Sequence, residues 1–151
     1  MRRAYIAAIA AAVIVFLVIS ALLARVFSAN SAEQSAITAL VKSEARGDTG
    51  AIVGAIDGCR ATPACLLRAG ENAAALRHSG TVSIIQLQAS TSFSLAATLG
   101  TARVAWNVGG SLPIVQCVRV RRTGNAITGL HVELLEVSRR IRSDTDCPAR
   151  F

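Results

Sequence analysis

Cys59, Cys65, Cys117 and Cys147 are the residues of this 151-residue chain whose type and spacing bear most directly on chemistry. They could form reactive thiols, a metal site or disulfides. No Cys-x-x-Cys pair is present, which argues against a dithiol redox centre. The spacings, even with His78 added, do not reproduce the close ligand pairs of zinc sites, so no metal is expected. An even number of cysteines, all C-terminal to an apolar leader, favours disulfides in an oxidising compartment. Three pairings remain open. Cys59 and Cys65 flank a tight loop. Cys117 falls on the outer face of a predicted strand, where a free thiol would meet oxidant. Cys147 lies in the tail SDTDCPARF, which has no apolar pattern to hold it. Tying tail to sheet resolves both problems, so Cys59–Cys65 with Cys117–Cys147 is the expected pairing. Chain entropy assigns about 2 kcal/mol to the short loop and about 4 kcal/mol to the long one.

Acid–base chemistry has little to draw on. The only tyrosine, Tyr5, lies in the apolar leader. His78 ends a predicted helix, and His131 points to the outer sheet face with Glu133, where cross-strand ion pairs with Arg103 and Arg119 are expected. Asp57 falls at a helix end. No phosphate-binding glycine loop or nucleophile elbow is present. The chain is read as more consistent with binding than with catalysis, and no cofactor is expected. Arg119, Arg121, Arg122, Arg139, Arg140 and Arg142 form the densest basic group. They are either a solvated surface, with Asp144 and Asp146 nearby, or a surface for anionic lipid or an acidic partner. Nucleic acid is not expected, because no exposed aromatic accompanies the arginines as a stacking platform.

The elements that must position these residues begin with a membrane segment. Ala4 to Ala24 contains 21 residues without a charge, behind Arg2 and Arg3. At about 1.5 Å per residue it spans roughly 30 Å, the thickness of a bilayer core. A cleaved signal has a shorter apolar region, and Ala29 to Ser31 is a poor cleavage site, so an uncleaved signal-anchor is favoured over a cleaved signal. The arginine bias keeps the N-terminus in the cytoplasm and exports the rest. The expected division is a stub and anchor over 1–29 with the span at 4–24, an extracytoplasmic domain over 30–143, and a tail over 144–151. The net charge of +7 falls to +4 in residues 30–151, where thirteen basic residues face all nine acids. Lys42 is the only lysine, and the Arg- and Ala-rich composition suggests a GC-rich bacterial genome.

Beyond the anchor, Ser31 and Gln34 resemble a capping box that opens a helix. Ile37, Leu40, Val41 and Ala45 recur at helical spacing, and Gly47 is the expected stop. Asp48 can cap a second, short helix. Thr62-Pro63 opens a third, expected to reach about His78. From Thr81 the period becomes that of strands. Val104 and Trp106, Val118 and Val120, and Leu130 and Val132 share one apolar face, a candidate cavity lining. Gly109-Gly110 and Gly124-Asn125 mark turns. Parity allows Val104 opposite Val118. A three-residue loop, Gly124 to Ala126, places Val118 opposite Val132, Val120 opposite Leu130, Arg119 opposite His131 and Cys117 opposite Glu133. Leu134-Leu135 breaks the alternation and suggests a bulge. The predicted fold class is α+β: a transmembrane helix, then three helices packed on a curled four-stranded antiparallel sheet.

The segment ITALVKSEARGDTGAIVGAI, Ile37 to Ile56, with the hairpins from Thr101 to Val137, resembles the nuclear-transport-factor-two-like family, also called ketosteroid-isomerase-like or cystatin-like rolls. The resemblance lies in element order and covers nearly all of the exported part. Such folds host many functions. Membrane-anchored bacterial members include assembly factors of type IV secretion channels and proteins associated with lipid transporters of the mammalian-cell-entry type. The resemblance therefore implies a non-catalytic accessory or interaction module of a cell-envelope assembly, with an envelope protein as partner. Two alternatives stay open: a carrier or enzyme using an apolar cavity, and a homo-oligomeric scaffold of a secretion or lipid-transport channel.

Overall fold

The computed structural model describes residues 2–89, 98–125, 129–142, 146–148 and 151; among these, the side chains of 2–5, 7, 8, 25, 26, 28, 29, 98, 125, 129 and 130 lie outside the description. Helix α1 spans Arg2–Arg46, α2 Thr49–Ala55 and α3 Pro63–Ala75, with a short 3₁₀ turn at Cys59–Ala61 before α3. Strands β1 (Val82–Gln88), β2 (Thr98–Val108), β3 (Ile114–Asn125) and β4 (Gly129–Val137) follow, in the spatial order β1-β2-β3-β4, all antiparallel. The fold is α+β, as the change of period implies.

The expected helix start at Ser31 does not occur. α1 runs through the 29/30 boundary without interruption, and Ser31 is an exposed residue inside it. SANSAEQ contains neither glycine nor proline, and extending an existing helix costs far less than nucleating a new one. Among the described residues no helix is long and apolar enough to cross a membrane. What is described of the first half of α1 is a set of large apolar side chains exposed on every side, from Ile6 through the unbroken run Val13 to Ile19 and on to Phe27.

α1 ends where glycine permits. Gly47 takes φ +71°, its N–H donates to the Glu44 carbonyl at 2.9 Å, and the Asp48 N–H donates to the Ser43 carbonyl at 3.0 Å. This is the double bond of a Schellman ending. Asp48 then caps α2, its Oδ1 accepting from the Ala51 N–H at 2.9 Å. Thr62 stands at the N-cap of α3, but its hydroxyl donates back to the Gly58 carbonyl at 3.1 Å instead of capping. α3 stops at Ala75, short of His78, because the His78 N–H turns away to donate to the Ala45 carbonyl at the end of α1.

The core lies between the helices and one sheet face. Ile37, Leu40 and Val41 of α1 and Ile52 of α2 meet Val104, Trp106, Val118 and Val120, all fully buried. The faces are those predicted; two registers are not. Val118 pairs with Ala102, and Val104 with Gln116, a slip of two from the expected Val104–Val118 pair. β3 and β4 pair Val120 with Leu134 and Val118 with Val137, not with Leu130 and Val132. Asn125 still pairs with Gly129, so the connection falls at 126–128, outside the described residues, and not at Gly124 to Ala126. Slips of two or four, and a slip of five across a one-residue bulge, keep every side chain on its face, so apolar alternation cannot choose among them. Charge does. Arg119 comes opposite Glu136 and Arg121 opposite Glu133, where the expected register gave Arg119 a histidine and Cys117 Glu133. A register shift between Leu134 and Glu136 makes Leu135 the extra residue of a bulge, at the predicted dipeptide.

Candidate functional site

Both expected disulfides are present: Cys59–Cys65, with Cα atoms 5.2 Å apart, and Cys117–Cys147, at 5.7 Å. The second straps the tail across the outer face of β3 and leaves Cys117 without exposed surface. Ile141 adds a bridge to Val115, its N–H donating at 2.7 Å. Phe151 brings its ring to 5.6 Å from the Arg119 guanidinium carbon. Among the described residues no cluster of His, Cys, Asp or Glu could hold a metal ion.

The six arginines of the basic group do not share a surface. Arg119 pairs with Glu136 at 3.2 Å. Arg121 lies between Glu133 at 3.0 Å and Asp57 at 3.7 Å. Arg139 bonds Glu71 through two nitrogens, at 2.9 and 2.6 Å, which holds the Glu71 carboxyl below its ordinary range and raises the arginine. Arg140 donates to the Pro113 carbonyl at 3.0 Å, and Arg142 is exposed. Arg122 is on the other face altogether. β3 alternation turns its side chain inward, behind Val118 and Val120, where its Nε donates to Glu33 at 2.7 Å, its Nη2 contacts the same carboxylate oxygen, and Nη2 also reaches Asn30 at 3.2 Å. Asp144 lies outside the described residues. His131 is exposed opposite Thr123, and His78 is exposed beside the Leu76 carbonyl.

The candidate cavity residues Val104, Trp106, Val118 and Val120 are packed core, with Val132 half-buried against it. The Leu130 side chain lies outside the described residues. None of the three hollows given by described residues is lined by these positions.

The densest polar arrangement is one that sequence reasoning missed. Glu44 of α1 is fully buried. Its Oε1 accepts from Asn72 Nδ2 of α3 at 2.7 Å and from Gln116 Nε2 of β3 at 3.1 Å. Both amides also donate to the Ser138 carbonyl, at 3.0 and 3.2 Å. Gln116 Oε1 accepts from the Trp106 indole at 2.8 Å. The Ser138 hydroxyl accepts from the Cys117 N–H at 2.9 Å, joining the network to the strapped strand. Glu44 Oε2 has no hydrogen-bond partner among the described residues. Burial pushes the carboxyl up to about 7, against the opposing pull of the Gln116 and Asn72 hydrogen bonds. Chemically this is one proton-exchanging group near neutrality inside a polar cross-link of α1, α3, β3 and the end of β4.

These residues follow the same periodicity as the apolar core. Glu33 and Glu44 fall four before and seven after Ile37, on the stripe of Leu40 and Val41, and Gln116 and Arg122 share the parity of Val118 and Val120. Compared with known proteins, the chain matches no family model, no curated protein and no solved structure.

Proposed function

We propose that the chain is a single-pass membrane protein, anchored by Ala4 to Ala24, whose disulfide-bonded roll stands outside the cytoplasm as a non-catalytic accessory or interaction module of a bacterial cell-envelope assembly. One observation carries the reading: twelve large apolar side chains between Ile6 and Phe27 stand half or more exposed around a helix whose second half is core. Water does not tolerate an apolar sleeve of that extent, and lipid does. Two disulfides in the domain agree with export to an oxidising side. The order of three helices and an antiparallel meander agrees with a roll of the nuclear-transport-factor-two-like kind.

A non-catalytic role is favoured by the state of the groups that chemistry would need. All four cysteines are cross-linked. The two carboxylates buried among the described residues, Glu33 and Glu44, are eleven residues apart on one helix, hence about 16 Å, and each is engaged in packing the helix to the sheet. Paired carboxylate catalysis works at separations of roughly 5–9.5 Å.

The test is carbonate extraction of native membranes, followed by thiol alkylation without reductant. The full chain should stay in the pellet with no cysteine alkylated, and protease added outside intact inner membranes should remove the domain. Recovery in the soluble fraction with four alkylated thiols would sink the reading.

A further inference from the structure

The geometry points to the free edge of β1 as a docking site for an extended, uncharged strand of a partner polypeptide. β1 ends the sheet order, so among the described residues one of its edges has no neighbouring strand. The opposite edge of the sheet is met at its middle: Ile56 bridges Leu134, and the Asp57 N–H donates to the Leu134 carbonyl at 2.7 Å. The groups that β1 leaves free can be assigned. The Gly109 N–H donates to the Thr81 carbonyl at 3.2 Å, which makes that pair a hydrogen-bonded one. Antiparallel pairs alternate, so Ser83, opposite Asn107, also bonds β2, while the N–H and C=O of Val82 and Ile84 point away. The bulge between Ile84 and Gln86 shifts the count by one, which turns Leu87, opposite Val104, outward as well.

An edge of this kind pairs with another chain unless something blocks it. The sequence VSIIQLQ has no charge and no proline. Among the described residues the one blunting device is the bulge, and it places Ile85, 53% exposed, on the outer face. There Ile85, Ala105, Pro113 and Val115, with Gln88 and Arg103 at the rim, line a hollow of about 150 Å³, room for one aliphatic side chain of an added strand. Backbone bonds would supply affinity, and this hollow the side-chain preference.

The choice of occupant rests on the membrane reading above. Gln116 meets Glu44 at 3.1 Å and Arg122 meets Glu33 at 2.7 Å. Six residues of β3 thus match eleven of α1, about 20 Å against about 16 Å, and the strand runs back toward the anchor. β1 runs the same way as β3, since both are antiparallel to β2. A second copy pairing antiparallel through its own β1 would be turned over by the two-fold axis, with its anchor pointing away from the bilayer. The added strand therefore belongs to another polypeptide and, antiparallel to β1, runs away from the membrane.

The test uses the full chain in lipid nanodiscs and a capped seven-residue peptide of alternating threonine and valine. Added peptide should slow amide exchange at Val82, Ile84 and Leu87 by about tenfold or more, leaving Ser83 and Gln88 unchanged. A nitroxide on the peptide's C-terminus should broaden signals near Val82 and not near Gln88. Ile85→Lys, an exposed change that leaves the β2 ladder intact, should abolish the protection. Unchanged exchange at millimolar peptide, in a chain that resists carbonate extraction, removes the docking edge and leaves the anchor standing. Disulfide-linked dimers of Ser83→Cys in native membranes would overturn the occupant in favour of a second copy. Release of the chain by carbonate would overturn it too, by removing the anchor on which the exclusion of that copy depends.

Discussion

Glu33 and Glu44 sit on one stripe of one helix, about three turns apart, and neither has exposed surface. The fold compensates them in opposite ways. Glu33 receives a guanidinium from β3, so its burial is balanced by charge. Glu44 receives two neutral amides on a single oxygen while the other has no partner among the described residues, and burial pushes its carboxyl up to about 7. Both fasten α1 to the sheet, but the fastening at Glu33 depends on a partner and the fastening at Glu44 depends on a proton.

The sharpest way to break this contrast is to remove the partner. Arg122→Met takes the guanidinium away from the buried Glu33 carboxylate, and should cost about 3–5 kcal/mol of unfolding free energy, measured by denaturation of the full chain in mild detergent. Adding Glu33→Gln to Arg122→Met should recover most of the loss, since a neutral amide then replaces a buried charge that has lost its guanidinium. A single substitution costing under about 1 kcal/mol would show that water reaches Glu33 and that the pair is not buried as described.

The proton is tested by pH. Glu44 titrates near 4.5 in the unfolded chain and about 7 in the fold, so between these values the folded state holds a proton that the unfolded state has released. This group's contribution is therefore full below about 4.5, falls as pH rises through about 7, and is flat above. The expected loss is on the order of 3 kcal/mol across that window. Glu44→Gln should flatten this part of the profile. A wild-type profile already flat from pH 5 to 8 would mean that the carboxyl is ionised throughout. Asn72→Ala has a smaller effect with a distinguishing sign. It removes a donor to both Glu44 and the Ser138 carbonyl, costing about 1–3 kcal/mol, and moves the pH midpoint upward, because the lost bond favoured the carboxylate. A downward shift would mean that Asn72 had been stabilising the protonated form.

The same residues show how far the sequence could be read. Val118 and Val120 declared their face through alternation, and Ile37, Leu40 and Val41 theirs through helical spacing, because burying an apolar face is a periodic demand. The stop at Gly47, the cap at Asp48 and the bulge at Leu134-Leu135 were legible because each is a local backbone event. Register was not, because slips of two or four residues keep all apolar side chains inward, and the contacts that mark the observed one, Arg121 with Glu133 and Arg119 with Glu136, join distant segments. The buried network was missed for a related reason. Glu33, Glu44, Gln116 and Arg122 occupy core positions by periodicity, but only the tertiary pairing shows that each polar group has a partner there. The continuity of α1 was missed because a plausible capping box says where a helix could begin, not whether one is already running.

The least costly test compares neighbours. Arg121 and Arg122 are adjacent on β3 and each meets a glutamate, yet alternation leaves the Arg121 side chain 40% exposed opposite a Glu133 side chain 39% exposed, against 8% and 0% for Arg122 and Glu33. Solvent screens the outer pair and holding two long side chains together costs entropy, so a double-mutant cycle on Arg121 and Glu133 should give a coupling of only about 0.2–1 kcal/mol, part of it shared with Asp57. At about 1 M salt, where the Debye length is near 3 Å, that coupling should disappear while the Arg122–Glu33 coupling survives. Equal salt sensitivity in the two cycles would place both arginines in the same solvent environment and dissolve the distinction between the two faces of the strand.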